Sequence, residues 1–268
     1  MEGSPETSTN SEATLCPKHK ASEDLDWILS PVSSDGFLSN IWEKKPFHFS
    51  RNDPDYFKSI MGLEDLEDVI MNCQGDEEYG ELLMFKDQEQ VHFDNPFRAY
   101  LEGASVVINH VDKEWEPLNK LCQRLSEVFP HVFTNMYLTP GNSQAVHPHS
   151  DDRDVLLLQL WGGKHWKVYG SPIPFPYTDE QVGKRGQRLS DAEMGPLQLD
   201  CLVSAGDVLY MPRGAVHEAR ASERGSLHLT MAIPSQDFTW AGLLLDLVRK
   251  RLRDPPNQRW RRAVPLGL

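Results

Sequence analysis

Two hydrophobic periods succeed one another along the chain, one helical and one extended, and the change falls near residue 131. Leu25, Ile28 and Leu29, then Phe37, Leu38, Ile41 and Trp42, recur at three- and four-residue spacing, which predicts helices beginning near Glu23. The stretch 1–22 before them is polar and aperiodic and is expected to be disordered. Lys45 to Phe49 reads as a short strand, and Asp53-Pro54 as a helix start with an aspartate cap and proline in the first turn. A helix over Leu63 to Ile70, an acidic loop over Gly75 to Gly80, a strand over Leu82 to Phe85, a helix opened by Asn95-Pro96 and a strand over Ala104 to Val111 follow. Trp115, Leu118, Leu121, Cys122, Leu125 and Val128 then mark a helix with one buried stripe, ended before Pro130.

From His131 the pattern becomes short β-rich runs separated by Gly, Pro, Asn and Asp. Eight are predicted: Val132 to Leu138, Gln144 to Ser150, Val155 to Trp161, His165 to Tyr169, Leu197 to Val203, Val208 to Met211, His217 to Ala221 and Ser226 to Ile233. So many short strands imply a mainly β fold with flanking helices, of the double-stranded β-helix or jelly-roll kind. Helical spacing returns through Trp240, Leu243, Leu244 and Leu247, followed by a basic tail. The expected organisation is a disordered segment 1–22, a helical and mixed part 23–130, the β-helix core 131–238, and a helix with a basic tail 239–268.

Bulk properties narrow the function. A length of 268 residues suits one main domain. No run of about 18 apolar residues could span a bilayer, and the first residues lack the apolar core of a signal peptide, so a non-membrane, intracellular protein is expected. Four cysteines without a C-x-x-C pair argue against a disulfide framework, although Cys16 and His19 could form half of a zinc site. A formal charge of −13 disfavours direct nucleic-acid binding and suits a basic protein partner.

The chemistry concentrates in His147-Pro148-His149-Ser150-Asp151 and in Gly206-Asp207-(x)4-Pro212-Arg213-Gly214-(x)2-His217. Extended backbone points alternate side chains the same way, so His149 and Asp151 share a face. A returning strand after the Pro/Gly turn can bring His217 beside them, giving the two imidazoles and one carboxylate that ferrous iron requires with positions left open. A cupin-like set of His147, His149 and Asp154 is the alternative, disfavoured by the opposite parity of Asp154. His48, His92, His110, His131 and His165 read as surface or satisfied core histidines; His228 is a candidate for a contact behind the site or to substrate. Lys164, after Gly162-Gly163, reads from spacing alone as a turn lysine.

Chained together, Asn135 to Pro140, Ser143 to Asp152, Leu158 to Tyr169, Gly206 to His217 and Ser226 to Thr230 resemble the JmjC-type ribosomal oxygenases. These are histidyl hydroxylases of the Myc-induced nuclear antigen type, together with a bacterial arginyl hydroxylase. The resemblance implies Fe(II) held by His149, Asp151 and His217, 2-oxoglutarate as co-substrate anchored by Lys164, Asn135 on the co-substrate pocket and Tyr137 near the substrate. It further implies hydroxylation of a protein side chain, a histidine of a ribosomal protein, with methyl-lysine demethylation on histone tails as the neighbouring alternative and a silent binding module as another. A basic ribosomal protein or histone tail as partner, a homodimer, and a nuclear or nucleolar location with the cytoplasm open are carried by the same resemblance. Ser150 replaces the aromatic residue common between the ligands and is expected to widen the mouth of the site.

Overall fold

A computed structural model describes residues 21–73, 81–184 and 187–253. The expected disordered segment (apart from Ala21 and Ser22), Cys16 and His19, the acidic loop from Gly75 to Gly80, and the basic tail beyond Arg253 lie outside those residues. The order is α1 (Ala21–Leu29), α2 (Ser34–Asn40), β1 (Phe47–Phe49), α3 (Leu66–Asn72), β2 (Leu82–Lys86), β3 (Glu89–Val91), α4 (Pro96–Leu101), β4 (Ser105–Ile108), α5 (Glu116–Leu125) and β5 (Phe133–Thr139). There follow β6 (Asp154–Tyr169), α6 (Asp191–Met194), β7 (Leu197–Ser204), β8 (Val208–Met211), β9 (His217–Ile233) and α7 (Trp240–Arg253).

All pairings between named strands are antiparallel. The strands run in the order β1-β8-β6-β9-β5-β4-β2-β3, with β7 joined to the late half of β6, opposite β9. Two strands organise the rest. The predicted pairs Val155 to Trp161 with His165 to Tyr169, and His217 to Ala221 with Ser226 to Ile233, are each one long strand, β6 and β9. Their early and late halves belong to different limbs of the sheet, because Leu156 pairs with Met231 and Tyr210 while Trp166 pairs with Ala219 and Cys201. The bend comes at Gly162, whose φ of +65° is open to glycine and whose missing Cβ would lie 2.1 Å from the Gly225 carbonyl oxygen. This is the double-stranded β-helix expected from the pattern.

Strand alternation divides the interior. Leu156 and Leu158 of β6, Tyr210 of β8, and Leu227, Leu229 and Met231 of β9 face a large core shared with α1, α2 and α5. Their neighbours Val155, Leu157, Leu209 and Met211 turn the other way into a smaller cluster with Trp166 and Val203. With apolar side chains on both faces, Val155 to Leu158 reads as an unbroken hydrophobic run. The larger cluster draws on both sides of residue 131, so the change of period is not a boundary between separately packed bodies.

Two local expectations fail, and one short strand goes unread, for identifiable reasons. Residues 54–60 form successive turns, with Asp53 Oδ1 accepting from the Asp55 N–H, instead of a helix. Gln144 to Ser150 is not a strand. It leaves β9 after Ser143, which accepts from the Ala221 N–H, and returns at His149, which exchanges both backbone hydrogen bonds with His217. Six residues are spent where β9 spends four, and Pro148 has no N–H to give a ladder. The short polar edge strand β3 carries no hydrophobic signal and was not anticipated.

Candidate metal centre

The exchange between His149 and His217 fixes two imidazoles side by side, with ring centroids 4.5 Å apart. Each ring is oriented through Nδ1, His149 on the His147 carbonyl at 2.7 Å and His217 on the Ala215 carbonyl at 3.1 Å. Both Nε2 atoms therefore face Asp151, 3.9 Å from His149 to Oδ1 and 3.7 Å from His217 to Oδ2. One donor atom from each of the three lies within 4.8 Å of the others. Burial, then the Lys184 and His217 charges, push His149 down to about 3, and burial likewise lowers His217. Burial alone would raise the Asp151 carboxyl, but the Lys184 ammonium and the imidazoles hold it well below the ordinary carboxylate range. Two neutral imidazoles with fixed tautomers and one ionised acid are the donor set a divalent ion needs, so the residues fit Fe(II).

The alternative set is not assembled. His147 lines the cavity but stands outside the ligand cluster. Asp154, of opposite parity, is buried elsewhere, accepting from the hydroxyls of Tyr210 and Ser235 at 2.5 Å each.

The triad opens onto a cavity of about 410 Å³ between the two limbs of the sheet. Lys164, just past the bend in β6, reaches its interior and is only 3% exposed. Its ammonium donates to Thr139 Oγ1 at 3.1 Å, with the faces of Tyr137 and Trp166 about 5.9 and 5.8 Å away. Burial with no facing carboxylate pushes it down to about 7. Tyr137 lines the cavity, its hydroxyl pushed up to about 12 by burial. His228 stacks on it at 4.9 Å with planes 1° apart, and its buried Nδ1 has no hydrogen-bond partner among the described residues. That leaves a buried cation on the cavity wall with no carboxylate paired to it among the described residues, a receptor for a carboxylate.

Asn135 shares the parity of Tyr137 on β5 but does not line the cavity; its Oδ1 accepts from the His110 N–H at 3.0 Å. Ser150 does not widen the mouth. It is 2% exposed and closed in both directions on Val182, donating its N–H to the carbonyl at 2.9 Å and accepting the Val182 N–H on Oγ at 3.1 Å. Sequence reasoning also missed Lys184, whose ammonium lies 2.8 Å from Asp151 Oδ1. A lysine in the sequence Gly-Lys-Arg-Gly offers no periodic or spacing signal.

Two imidazoles and a carboxylate on the inner wall of a double-stranded β-helix define a mononuclear metal protein of the cupin class. Residues 107–239 match the JmjC domain. Curated relatives include the bifunctional lysine-specific demethylase and histidyl-hydroxylase NO66 of Drosophila sechellia, 30% identical over 253 residues that make up 90% of this chain and 38% of that protein. The NO66 protein of Culex quinquefasciatus is 32% identical over 239 residues, 83% of this chain and 36% of that one. The chain thus spans little more than a third of the length of these relatives. Among solved structures, the Escherichia coli ribosomal oxygenase YcfD in complex with cobalt and 2-oxoglutarate shares the fold, with a TM-score of 0.54 and 19% identity over 89% of this chain and 63% of that chain. The chain belongs to the JmjC-domain family.

Proposed function

We propose that this protein is an Fe(II)- and 2-oxoglutarate-dependent oxygenase that hydroxylates a protein side chain, a histidine of a basic ribosomal protein. The observation that carries the reading is one cavity with a metal donor set at one end and a buried, uncompensated lysine inside. His149, Asp151 and His217 would hold the metal, and Lys164 with Thr139 would take the far carboxylate of the co-substrate. When bound, iron and 2-oxoglutarate supply an oxidant strong enough for an unactivated C–H bond, with succinate and carbon dioxide as the other products. The protein's own contribution is placement. Backbone carbonyls fix the two imidazoles, and Trp166 with the stacked Tyr137 and His228 encloses the buried Lys164.

NO66 relatives bear two activities in their name, histidyl hydroxylation and lysine demethylation. The ammonium groups of Lys164 and Lys184 on the cavity wall favour a neutral imidazole over a cationic methyl-lysine. The net charge of −13 suits a basic ribosomal protein or, on the second reading, a histone tail. Dimerisation is supported by α7, which buries none of its residues and leaves Trp240 82% exposed beside Leu244, Leu245 and Leu247. Among the described residues no helix is long and apolar enough to cross a membrane. We propose the nucleus or nucleolus as its location, where ribosomal proteins and histones are assembled with nucleic acid.

The test is incubation of the iron-loaded protein with large-subunit ribosomal proteins and methylated histone peptides, read by mass spectrometry and succinate release. A histidine gaining one oxygen with matching succinate is expected. Formaldehyde and a lost methyl group would assign the demethylase reading, and no succinate with any substrate would leave a silent binding module.

A further inference from the structure

The segment between β6 and α6 crosses the ligand-bearing turn residue by residue. Thr178 donates through Oγ1 to Asp152 Oδ2 at 2.7 Å, and Val182 is paired in both directions with Ser150. Gly183, at φ +72°, lies so close that a Cβ there would sit 2.2 Å from the Pro148 carbonyl oxygen and 2.7 Å from His149 Cα. Lys184 comes next and reaches Asp151 Oδ1 at 2.8 Å. The pairing at 182 and the contact at 183 fix where the backbone of 184 starts, so its ion pair is less a wandering surface contact than its 36% side-chain exposure suggests.

We propose that Lys184 is a positioning residue for the metal carboxylate: it holds Asp151 by Oδ1 and so keeps Oδ2, the oxygen nearest His217, turned to the ion. The inference rests on the metal-centre reading above. An acid on one side chain bond can present either oxygen or both to a cation. A fixed ammonium on one of them removes that freedom, as an outer hydrogen bond commonly does for metal ligands. Its cost is like-charge repulsion with the ion; its gain is a carboxylate already ionised and already aimed. The charge-assisted bond at 2.8 Å and the backbone clamp on both preceding residues decide for the gain.

Co(II) is the probe, titrated into the purified chain by calorimetry and followed by its visible absorption, in wild type, K184M, K184R and D151A. Weakening of Co(II) affinity by roughly ten- to hundredfold in K184M, with an altered cobalt spectrum, is expected. K184R should restore both, since a guanidinium can grip the same oxygen. Thermal melting without metal checks that K184M is folded, and K184Q, a shorter neutral donor, should fall between. Equal or tighter cobalt binding in K184M with an unchanged spectrum would overturn the proposal, showing the ammonium to be only a repelling charge. Equal cobalt affinity in wild type and D151A would instead remove the metal-centre reading, and this proposal with it.

Discussion

The two ends of the cavity treat charge in opposite ways. At the triad, Asp151 is surrounded by Lys184 and two imidazoles and is compensated before any ion arrives. Deeper in, Lys164 faces only a hydroxyl and aromatic rings, and its charge is held at a penalty. A site that is complete in itself orients a ligand, whereas one left short of a counter-charge recruits one. The first end is a mould for a cation already set, the second a demand for an anion.

Breaking the first end should have the largest effect. His217→Ala removes one of the three donors while leaving its backbone bonds to His149 in place, and metal binding by calorimetry should fall below detection; retention of near-wild-type affinity would show that the three residues do not act together. Lys164→Met should leave metal affinity within a few-fold but weaken 2-oxoglutarate by on the order of a hundredfold, the value of a buried charge-assisted bond of about 3 kcal/mol. Loss of both affinities at once would show that the ends are not separable.

Titration sharpens the contrast further. In the free protein Lys164 is pushed down to about 7, and a bound carboxylate favours its charged form, so binding takes up a proton above that pH. Affinity for 2-oxoglutarate should be flat below pH 7 and fall about tenfold per unit above it, while K164R, charged throughout, should show no such slope. Calorimetry in two buffers of different ionisation enthalpy reads the proton directly. The smallest effect belongs to the contact between the metal-ligand segment and the segment between β6 and α6: Gly183→Ala meets Pro148 and His149 and should cost about 1–3 kcal/mol, seen as a lowered Tm.

The two ends also differed in how far the sequence revealed them. His149, Asp151 and His217 were legible because extended-chain parity and a Pro/Gly turn are local rules that survive folding. Lys164 was not, since a lysine after two glycines looks like a turn until the bend at Gly162 carries it inside; only the family resemblance singled it out. Lys184 left no trace, because what brings it to Asp151 is the pairing of Val182 with Ser150, a contact across 32 residues. The fold class followed from strand density, yet β6 and β9 were each read as two strands, because glycine and polar residues that end a strand elsewhere here mark a bulge between two limbs. Gln144 to Ser150 was mistaken for a strand because alternation says nothing about whether a partner has the same number of residues.

The most direct measurement is anaerobic addition of 2-oxoglutarate to the Fe(II)-loaded protein, watching for the visible charge-transfer band of a keto acid chelating iron. Wild type should develop it with one equivalent of each, K164M only at much higher 2-oxoglutarate, and D151A and H217A not at all. A protein that takes up Fe(II) and 2-oxoglutarate without that band, or shows it undiminished in D151A, would contradict a single cavity in which metal and co-substrate meet.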